Sequence, residues 1–366
     1  MCETARAMSA PHPGDGAAGS VLQLAASAAW GGAEQVADTL RAEAEHAGWR
    51  ATLELPFTPS GDRWRDAKAR DVAWWPWALR RRPPVDVVHA HLPWPDRLGA
   101  ALVAARGRPL VVTFQLLPMG DGWPRDRCFA LPAAAMFRAA GKLRRRVRWV
   151  ALSRADARRL GALLDAEVTV VHNAPPPPPP STGALAWPDG SLRLLSVGRL
   201  ESQKGFDRML RALASPALKA RPWHWNIIGE GAARPELESL IRAQGLGARV
   251  TLVGARPAVD GLRDAELLLA PSRFEGMPLV PMEAAEAGVP VAASVIDAHE
   301  ELYERAPEAL LPRDDGAWPE ALARWLDDAS LRQRVGATQR EALGADPRRR
   351  WFADYERLYR AVMRAG

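Results

Sequence analysis

Ser196-Val197-Gly198-Arg199-Leu200-Glu201-Ser202-Gln203-Lys204-Gly205-Phe206 is the stretch whose reading decides the fold. The apolar run Leu192 to Val197 reads as a short strand, Gly198 as a turn, and helical composition resumes near Phe206. Arg199 and Lys204 then fall in the loop at a strand's carboxyl end, where open α/β sheets bind their ligands. Two cations beside backbone N–H groups and a helix N-terminus form a site suited to a diphosphate.

A second stretch, Arg273-Phe274-Glu275-Gly276-Met277-Pro278-Leu279-Val280-Pro281-Met282-Glu283-Ala284-Ala285, follows the apolar run Leu267 to Ala270. Its spacing predicts a loop carrying Glu275 and a helix, beginning near Pro281, carrying Glu283. With no Cys or His at ligand spacing around them, these carboxylates suit the hydroxyls of a sugar or ribose better than a metal.

Between the two stretches lie Ile227-Ile228-Gly229-Glu230-Gly231 and Val253-Gly254. Taken in order, strand-Gly-Arg-x4-Lys-Gly, Ile-Ile-Gly-Glu-Gly, Val-Gly and Glu-x7-Glu, this half resembles the retaining glycosyltransferases of family 4. The resemblance extends over nearly the whole chain. It implies a GT-B fold, two Rossmann-like parallel-sheet domains facing across a cleft. It further implies that Arg199, Lys204 and Glu275 act on the diphosphate and the transferred sugar. The donor would also meet Gly198, Gly229, Gly254, the N–H groups of Gly276 and Met277, Leu279, and Glu283 at the ribose. Pro278 has no N–H and can donate nothing in that loop. Retention of anomeric configuration is carried over from the family alone.

Length and composition agree with such a protein. At 366 residues, 48% hydrophobic and 25% charged, the chain is long enough for two domains with separate cores. No apolar run approaches the roughly 18 residues of a membrane span. Residues 1–19 are small and polar, without the basic and apolar segments of a secretory signal, so a disordered start and a cytoplasmic location are expected. Cys2 and Cys128, the two cysteines, belong to no ligand cluster, which argues against a disulfide framework and a structural zinc. No Asp-x-Asp pattern is present to hold a metal on a diphosphate, and none is expected; no cofactor is implied beyond the donor substrate.

Six consecutive prolines, Pro175 to Pro180, divide the chain. The expected plan is an N-terminal acceptor domain over 20–174, a proline-rich linker over 175–187, a donor domain over 188–345, and a last helix over 346–366. By resemblance that helix crosses back to the first domain. In the N-terminal half, apolar runs at Val21, Ala51, Val85, Leu110, Trp149 and Val168 alternate with helix-like stretches, the mark of βα units and a parallel sheet. The C-terminal half repeats it at Leu192, Trp225, Val250, Leu267 and Val289.

Gly31 and Gly32 follow the first strand of the N-terminal half, and by resemblance their loop lies against donor and acceptor. A plain βα turn explains two glycines as well. In Asp86-Val87-Val88-His89-Ala90-His91, His89 is expected to pack against the sheet and His91, placed beyond the strand, to face the acceptor. Many family members carry a sugar-contacting His where this chain has Gln115, in Thr113-Phe114-Gln115. Glutamine can hydrogen-bond a hydroxyl but cannot titrate near neutrality.

The formal net charge is +6, and two basic stretches stand beside tryptophans, Trp74 to Arg82 and Lys142 to Trp149. Such stretches suit an anionic membrane surface, although a solvated basic face with its tryptophans in the core is the plainer reading. No stacking platform or recognition motif points to nucleic acid. The partners implied are a nucleotide-sugar donor, UDP- or GDP-linked, and a hydroxyl acceptor that is lipid-linked, polysaccharide or a small natural product. A sugar-nucleotide epimerase and a non-catalytic binder are the rival readings. Trp30-Gly31-Gly32-Ala33 lacks the Gly-x-Gly-x-x-Gly of a dinucleotide-dependent dehydrogenase.

Overall fold

The computed structural model describes residues 18–25, 32–55, 84–92, 101, 105, 107–116 and 147–365. The expected disordered start, Gly31, and the tryptophan-rich stretch from 74 to 82 fall outside these residues, apart from Ala18 and Gly19 at the end of the first.

Among the described residues, eleven strands form two parallel sheets. The first has the order β2-β1-β3-β4-β5-β6 and contains β1 (Ser20–Leu24), β2 (Arg50–Glu54), β3 (Val87–Leu92), β4 (Leu110–Phe114), β5 (Val147–Ala151) and β6 (Val168–Val170). The second has the order β11-β10-β7-β8-β9 and contains β7 (Leu192–Val197), β8 (Trp223–Ile228), β9 (Val250–Gly254), β10 (Leu267–Ala270) and β11 (Val291–Ala293). Strands β1, β3, β4 and β5 are buried nearly throughout, which is why they read as continuous apolar runs and not as alternations.

The helices that matter for the site are α1 (Gly32–His46), α2 (Arg154–Leu164), α3 (Phe206–Leu213), α4 (Arg234–Ala243), α5 (Leu279–Ala287), α6 (Asp297–Leu302), α7 (Trp318–Asp327), α8 (Ala329–Leu343) and α9 (Pro347–Ala365). The core of the second sheet joins Leu194, Trp225, Ile227 and Leu268 to Met209 of α3, Ile241 of α4 and Trp318 and Trp325 of α7. A separate cluster puts Trp351, Phe352, Tyr355, Tyr359 and Val362 of α9 against Val21, Val87, Val111 and Val150 of the first sheet and Val36 and Leu40 of α1. The last helix of the chain therefore completes the core of the first half. Residues 181–187 lie on the second half: Ser181 and Thr182 hydroxyls donate to Asp260 at 2.6 and 2.5 Å, and Leu185 enters that core.

Parallel order fixes where a ligand can go. In the second sheet the strand order reverses at β7, so the connections from β7 and β10 leave in opposite directions and open a crevice at their carboxyl ends. In the first sheet the same reversal falls between β1 and β3.

Candidate active site

The loops at the carboxyl ends of β7 and β10 meet through one hydrogen-bonded cluster. Lys204 Nζ donates to Glu275 Oε1 at 2.7 Å, and Ser272 Oγ donates to the same oxygen at 2.7 Å. Gln203 Nε2 donates to Glu275 Oε2 at 3.2 Å and to the Phe274 carbonyl at 3.1 Å, while its Oε1 accepts from Arg199 Nη2 at 3.2 Å. Burial pushes the Glu275 carboxyl up, but the Lys204 charge and the hydrogen bonds from Lys204 and Ser272 outweigh it and hold the group below its usual range. Glu275 is therefore an ionised acceptor within a preformed frame.

Arg199 and Lys204 do not stand as two bare cations. Arg199 is 63% exposed and paired with Glu201 at 2.8 Å, whereas Lys204 is 20% exposed and committed to Glu275. Any anion entering here would have to share Lys204 with Glu275 and draw Arg199 from Glu201. Gln203, Ser272 and His299 belong to this cluster and were not singled out from the sequence, since amide, hydroxyl and imidazole carry no signal without the fold.

Backbone geometry explains several of the glycines. Gly205, the turn into α3, has φ of +66°, and a Cβ there would lie 2.0 Å from the Pro271 carbonyl oxygen. At Gly229, with φ of +148°, a Cβ would lie 1.9 Å from the Gly198 carbonyl oxygen. Gly254 pairs with Gly229 and has φ of +92°. Gly198 lies along the Lys204 stem, its position for a Cβ 3.0 Å from Cε. Only glycine lets the ends of β7, β8 and β9 approach this closely.

Helix α5 starts at Leu279, two residues before the expected Pro281, because Pro278 is extended and serves as its N-cap. No side chain caps this N-terminus, and Pro281 has no N–H, so the Leu279 and Val280 N–H groups are the donors it offers near Glu275. Glu283 lies further along α5. Burial, with the nearby Glu286 charge adding to it, pushes its carboxyl up to about 7. Glu286 itself is tied to Arg348 at 2.9 Å.

The N-terminal half meets this loop directly. A Cβ on Gly276 would lie 2.0 Å from the Gln115 carbonyl oxygen, so the loop after β4 and the Glu275-Gly276 turn are in contact across the domain seam. Gly32 is exposed at the start of α1, where a Cβ would meet Leu279 Cδ1 at 3.7 Å. Asn173 Nδ2 donates to the Met277 carbonyl at 3.3 Å. Gly32, Gln115, Gly276, Met277 and Leu279 thus share one seam.

His91 requires a correction. The strand expected to end at His89 runs on to Leu92, and His91 is fully buried inside it. Its Nε2 is 2.8 Å from Gln23 Oε1 and its Nδ1 3.1 Å from Gln115 Nε2, and burial lowers it to about 3. It is enclosed within the sheet, and Gln115, half-buried, lies between it and the seam. In the basic stretch Lys142 to Trp149, of which residues 147–149 are described, Trp149 is buried beside Phe114, as the plainer reading of that tryptophan expects.

His299 of α6 is another buried imidazole. Its Nδ1 donates to the Ser294 carbonyl at 2.8 Å, which leaves Nε2 as an acceptor without a partner. A cavity of about 20 Å³, room for one water, is lined by His299, Lys204, Ser272 and Glu275. Burial lowers His299 to about 4, so it is neutral. Among the described residues, no three His, Cys, Asp or Glu side chains converge in a way that could hold a metal ion, and no helix is long and apolar enough to cross a membrane.

Two parallel-sheet halves that meet at a seam, with a charged cluster at the switch point of the second, define the GT-B class. Residues 181–342 match the family model described as Glycosyl transferases group 1. The computed structure superposes on sucrose-phosphate synthase from Thermosynechococcus elongatus with a TM-score of 0.74 at 18% identity, covering 95% of this chain and 100% of that one. It superposes on WaaG, described as a glycosyltransferase involved in lipopolysaccharide biosynthesis, with a TM-score of 0.62 at 17% identity, covering 92% and 98%.

Sequence relatives include the alpha-D-kanosaminyltransferase of Streptomyces kanamyceticus, 33% identical over 39% of this chain and 38% of that protein. The lipopolysaccharide core biosynthesis mannosyltransferase LpsB of Rhizobium meliloti is 33% identical over 40% of this chain and 44% of its own length. D-inositol 3-phosphate glycosyltransferase 1 of Catenulispora acidiphila is 28% identical over 72% of this chain and 70% of that protein. The first two matches thus span less than half the length of either relative.

Proposed function

We propose that this protein transfers a sugar from a nucleoside diphosphate sugar to a hydroxyl acceptor, with retention of anomeric configuration and without a metal. The observation that carries the reading is the Lys204–Glu275–Gln203–Arg199 cluster at the switch point of the second sheet.

Breaking the anomeric bond leaves negative charge on the diphosphate and oxocarbenium character on the sugar. Lys204 and the Leu279 and Val280 N–H groups are a cation and dipoles held in advance where that negative charge develops, and Arg199 joins them on leaving Glu201. Glu275 accepts from hydroxyls of the transferred sugar, and its negative charge favours the cationic ring. Glu283, once ionised, accepts from the ribose hydroxyls. Gly32 leaves room for the substrate at the seam.

A structural neighbour, HepE of Anabaena, was solved with UDP and glucose, which supports a UDP-sugar as the first donor to try; GDP-sugars are the second. The names of LpsB and WaaG favour an acceptor in lipopolysaccharide, polysaccharide or glycolipid assembly, met at the cytoplasmic face of a membrane. The kanosaminyltransferase name favours a second reading, a small natural-product acceptor.

The test is calorimetric titration with UDP, GDP and ADP, followed by incubation of the matching sugar nucleotide with acceptor pools. Donor turnover only when acceptor is added supports the transferase. Turnover to an isomeric sugar nucleotide without acceptor identifies an epimerase, and binding with no nucleotide release identifies a non-catalytic binder.

A further inference from the structure

A single file of buried side chains runs through the first sheet to Gln115. Seven residues are joined by six hydrogen bonds: Gln115 Nε2 to His91 Nδ1 at 3.1 Å, His91 Nε2 to Gln23 Oε1 at 2.8 Å, Gln23 Nε2 to Tyr359 Oη at 3.1 Å, Tyr359 Oη to His89 Nδ1 at 2.7 Å, His89 Nε2 to Thr113 Oγ1 at 2.8 Å, and Thr113 Oγ1 to Tyr355 Oη at 3.1 Å. It begins on α9 and ends at the domain seam. All its members except Gln115 are buried.

The direction of every proton but the last follows from elementary donor and acceptor rules. Gln23 Oε1 can only accept, so His91 Nε2 carries the proton. His91 is neutral in its buried setting, so its Nδ1 must accept, and Gln115 must turn its amide N–H inward. Gln23 Nε2 can only donate, so the Tyr359 hydroxyl spends its own proton on His89 Nδ1. Neutral His89 then carries its proton on Nε2 and gives it to Thr113. The two glutamine amides are placed independently, yet both demand the same tautomer of His91.

We propose that this relay fixes the polarity of Gln115, turning its N–H toward His91 and offering its carbonyl Oε1 to the cleft as a hydrogen-bond acceptor that reads a hydroxyl or ammonium group on the transferred sugar. Gln23, His91, His89 and Tyr359 are positioning residues that never touch the ligand. A substituent that can only accept, such as an ether oxygen or fluorine, meets oxygen against oxygen at Gln115 and is rejected. Reversing the file would need both glutamine amides and both tautomers to turn together, so one change at its end commits the whole of it. The part concerning sugars rests on the proposed function; the part concerning polarity does not.

The test is nitrogen NMR of protein labelled at histidine. The expected result is that His89 and His91 both carry their proton on Nε2 and lack one on Nδ1. In Gln115→Glu, whose carboxylate cannot donate to His91, both protons move to Nδ1. A proton on Nδ1 of His91 in the unaltered protein overturns the proposal, and so does a His89 tautomer that ignores Gln115→Glu.

The binding arm compares UDP with UDP-glucose, and GDP with GDP-mannose, in the unaltered protein and in Tyr359→Phe. Loss of the relay should leave nucleotide affinity unchanged while the added affinity conferred by the sugar falls roughly tenfold, the worth of one good hydrogen bond. An unchanged sugar increment overturns the specificity role. Should neither nucleotide bind, the donor reading fails while the tautomers still report on the relay. If Tyr359→Phe does not fold, the tautomer experiment on the unaltered protein decides alone.

Discussion

Lys204 and Glu275 form a largely buried pair, and the Lys204 charge holds the Glu275 carboxyl ionised. Removing one leaves an uncompensated charge, which costs about 3–5 kcal/mol when such a pair is broken. Lys204→Met should therefore lower both stability and activity. Glu275→Gln keeps the shape and an amide oxygen for Lys204 or Ser272 but leaves Lys204 without its countercharge. Stability should fall here too, by less than in Lys204→Met because Lys204 is 20% exposed and Glu275 9%. Activity should fall by roughly 10²- to 10³-fold, as for other lost electrostatic groups in active sites. Urea unfolding and donor turnover, measured together on the two proteins, separate the outcomes. Glu283 gives a second prediction. Its carboxyl is pushed up to about 7, so the acceptor form grows as pH rises through neutrality. Nucleotide affinity measured by calorimetry should strengthen from pH 6 to pH 8, and Glu283→Gln should flatten that profile. The position of Lys204 on a strand-end loop and of Glu283 on the helix after a later such loop was legible, because apolar run, turn and helix follow one another in a short segment. The pairing of Arg199 with Glu201, and the inward turn of His91, were not, because both depend on partners that sequence spacing does not name.

At the level of elements, the apolar runs at Leu192 and Leu267 gave their strands to the residue, since a parallel strand buried on both faces is uniformly apolar. The run at Val87 was cut short, because two histidines look like the end of an apolar strand. Their polar atoms are in fact satisfied by Gln23, Thr113 and Tyr359, contributed by two other strands and the last helix. Helix α5 began earlier than its composition suggested because Pro278, extended and lacking an N–H, is a natural stop for what precedes a helix. Helix α9 supplies the most testable consequence. Trp351, Phe352, Tyr355, Tyr359 and Val362 are all buried against the first sheet or its helix α1. Truncation at residue 346 should leave the first half unable to close its core, with loss of its cooperative unfolding transition. Tyr355→Ala alone should cost about 3–5 kcal/mol, as large aromatic truncations do, and chemical denaturation would show it.

Across the whole molecule, acid response is set by imidazoles that fold in their neutral form. Burial lowers His91 to about 3 and His299 to about 4, and His89 well below its ordinary value. The unfolded chain takes up these protons near pH 6.5 while the native one refuses them, so their stabilising effect is complete above pH 6.5 and drains away as pH falls toward 4 and 3. Each contributes a slope of about 1.4 kcal/mol per pH unit in that window. Glu283 and Asp156, raised to about 7 and about 6, act in the opposite sense between their unfolded values and these, softening the loss down to roughly pH 4.5. The midpoint of urea unfolding should fall gently from pH 6.5 to pH 5 and steeply below pH 4.5. A midpoint independent of pH across that range would contradict the buried neutral histidines.

The two halves meet where Gly276 touches the Gln115 backbone and Gly32 approaches Leu279, so donor loop and first-domain loop form one surface. The account stands on the claim that a nucleoside diphosphate binds there, against Lys204 and Glu283. Its most direct measurement is calorimetric titration of UDP and GDP into the unaltered protein, Lys204→Met and Glu283→Ala. One of the two nucleotides should bind at a single site, with at least tenfold loss in each folded variant; equal binding by all three proteins, or binding of neither nucleotide, would contradict the assignment.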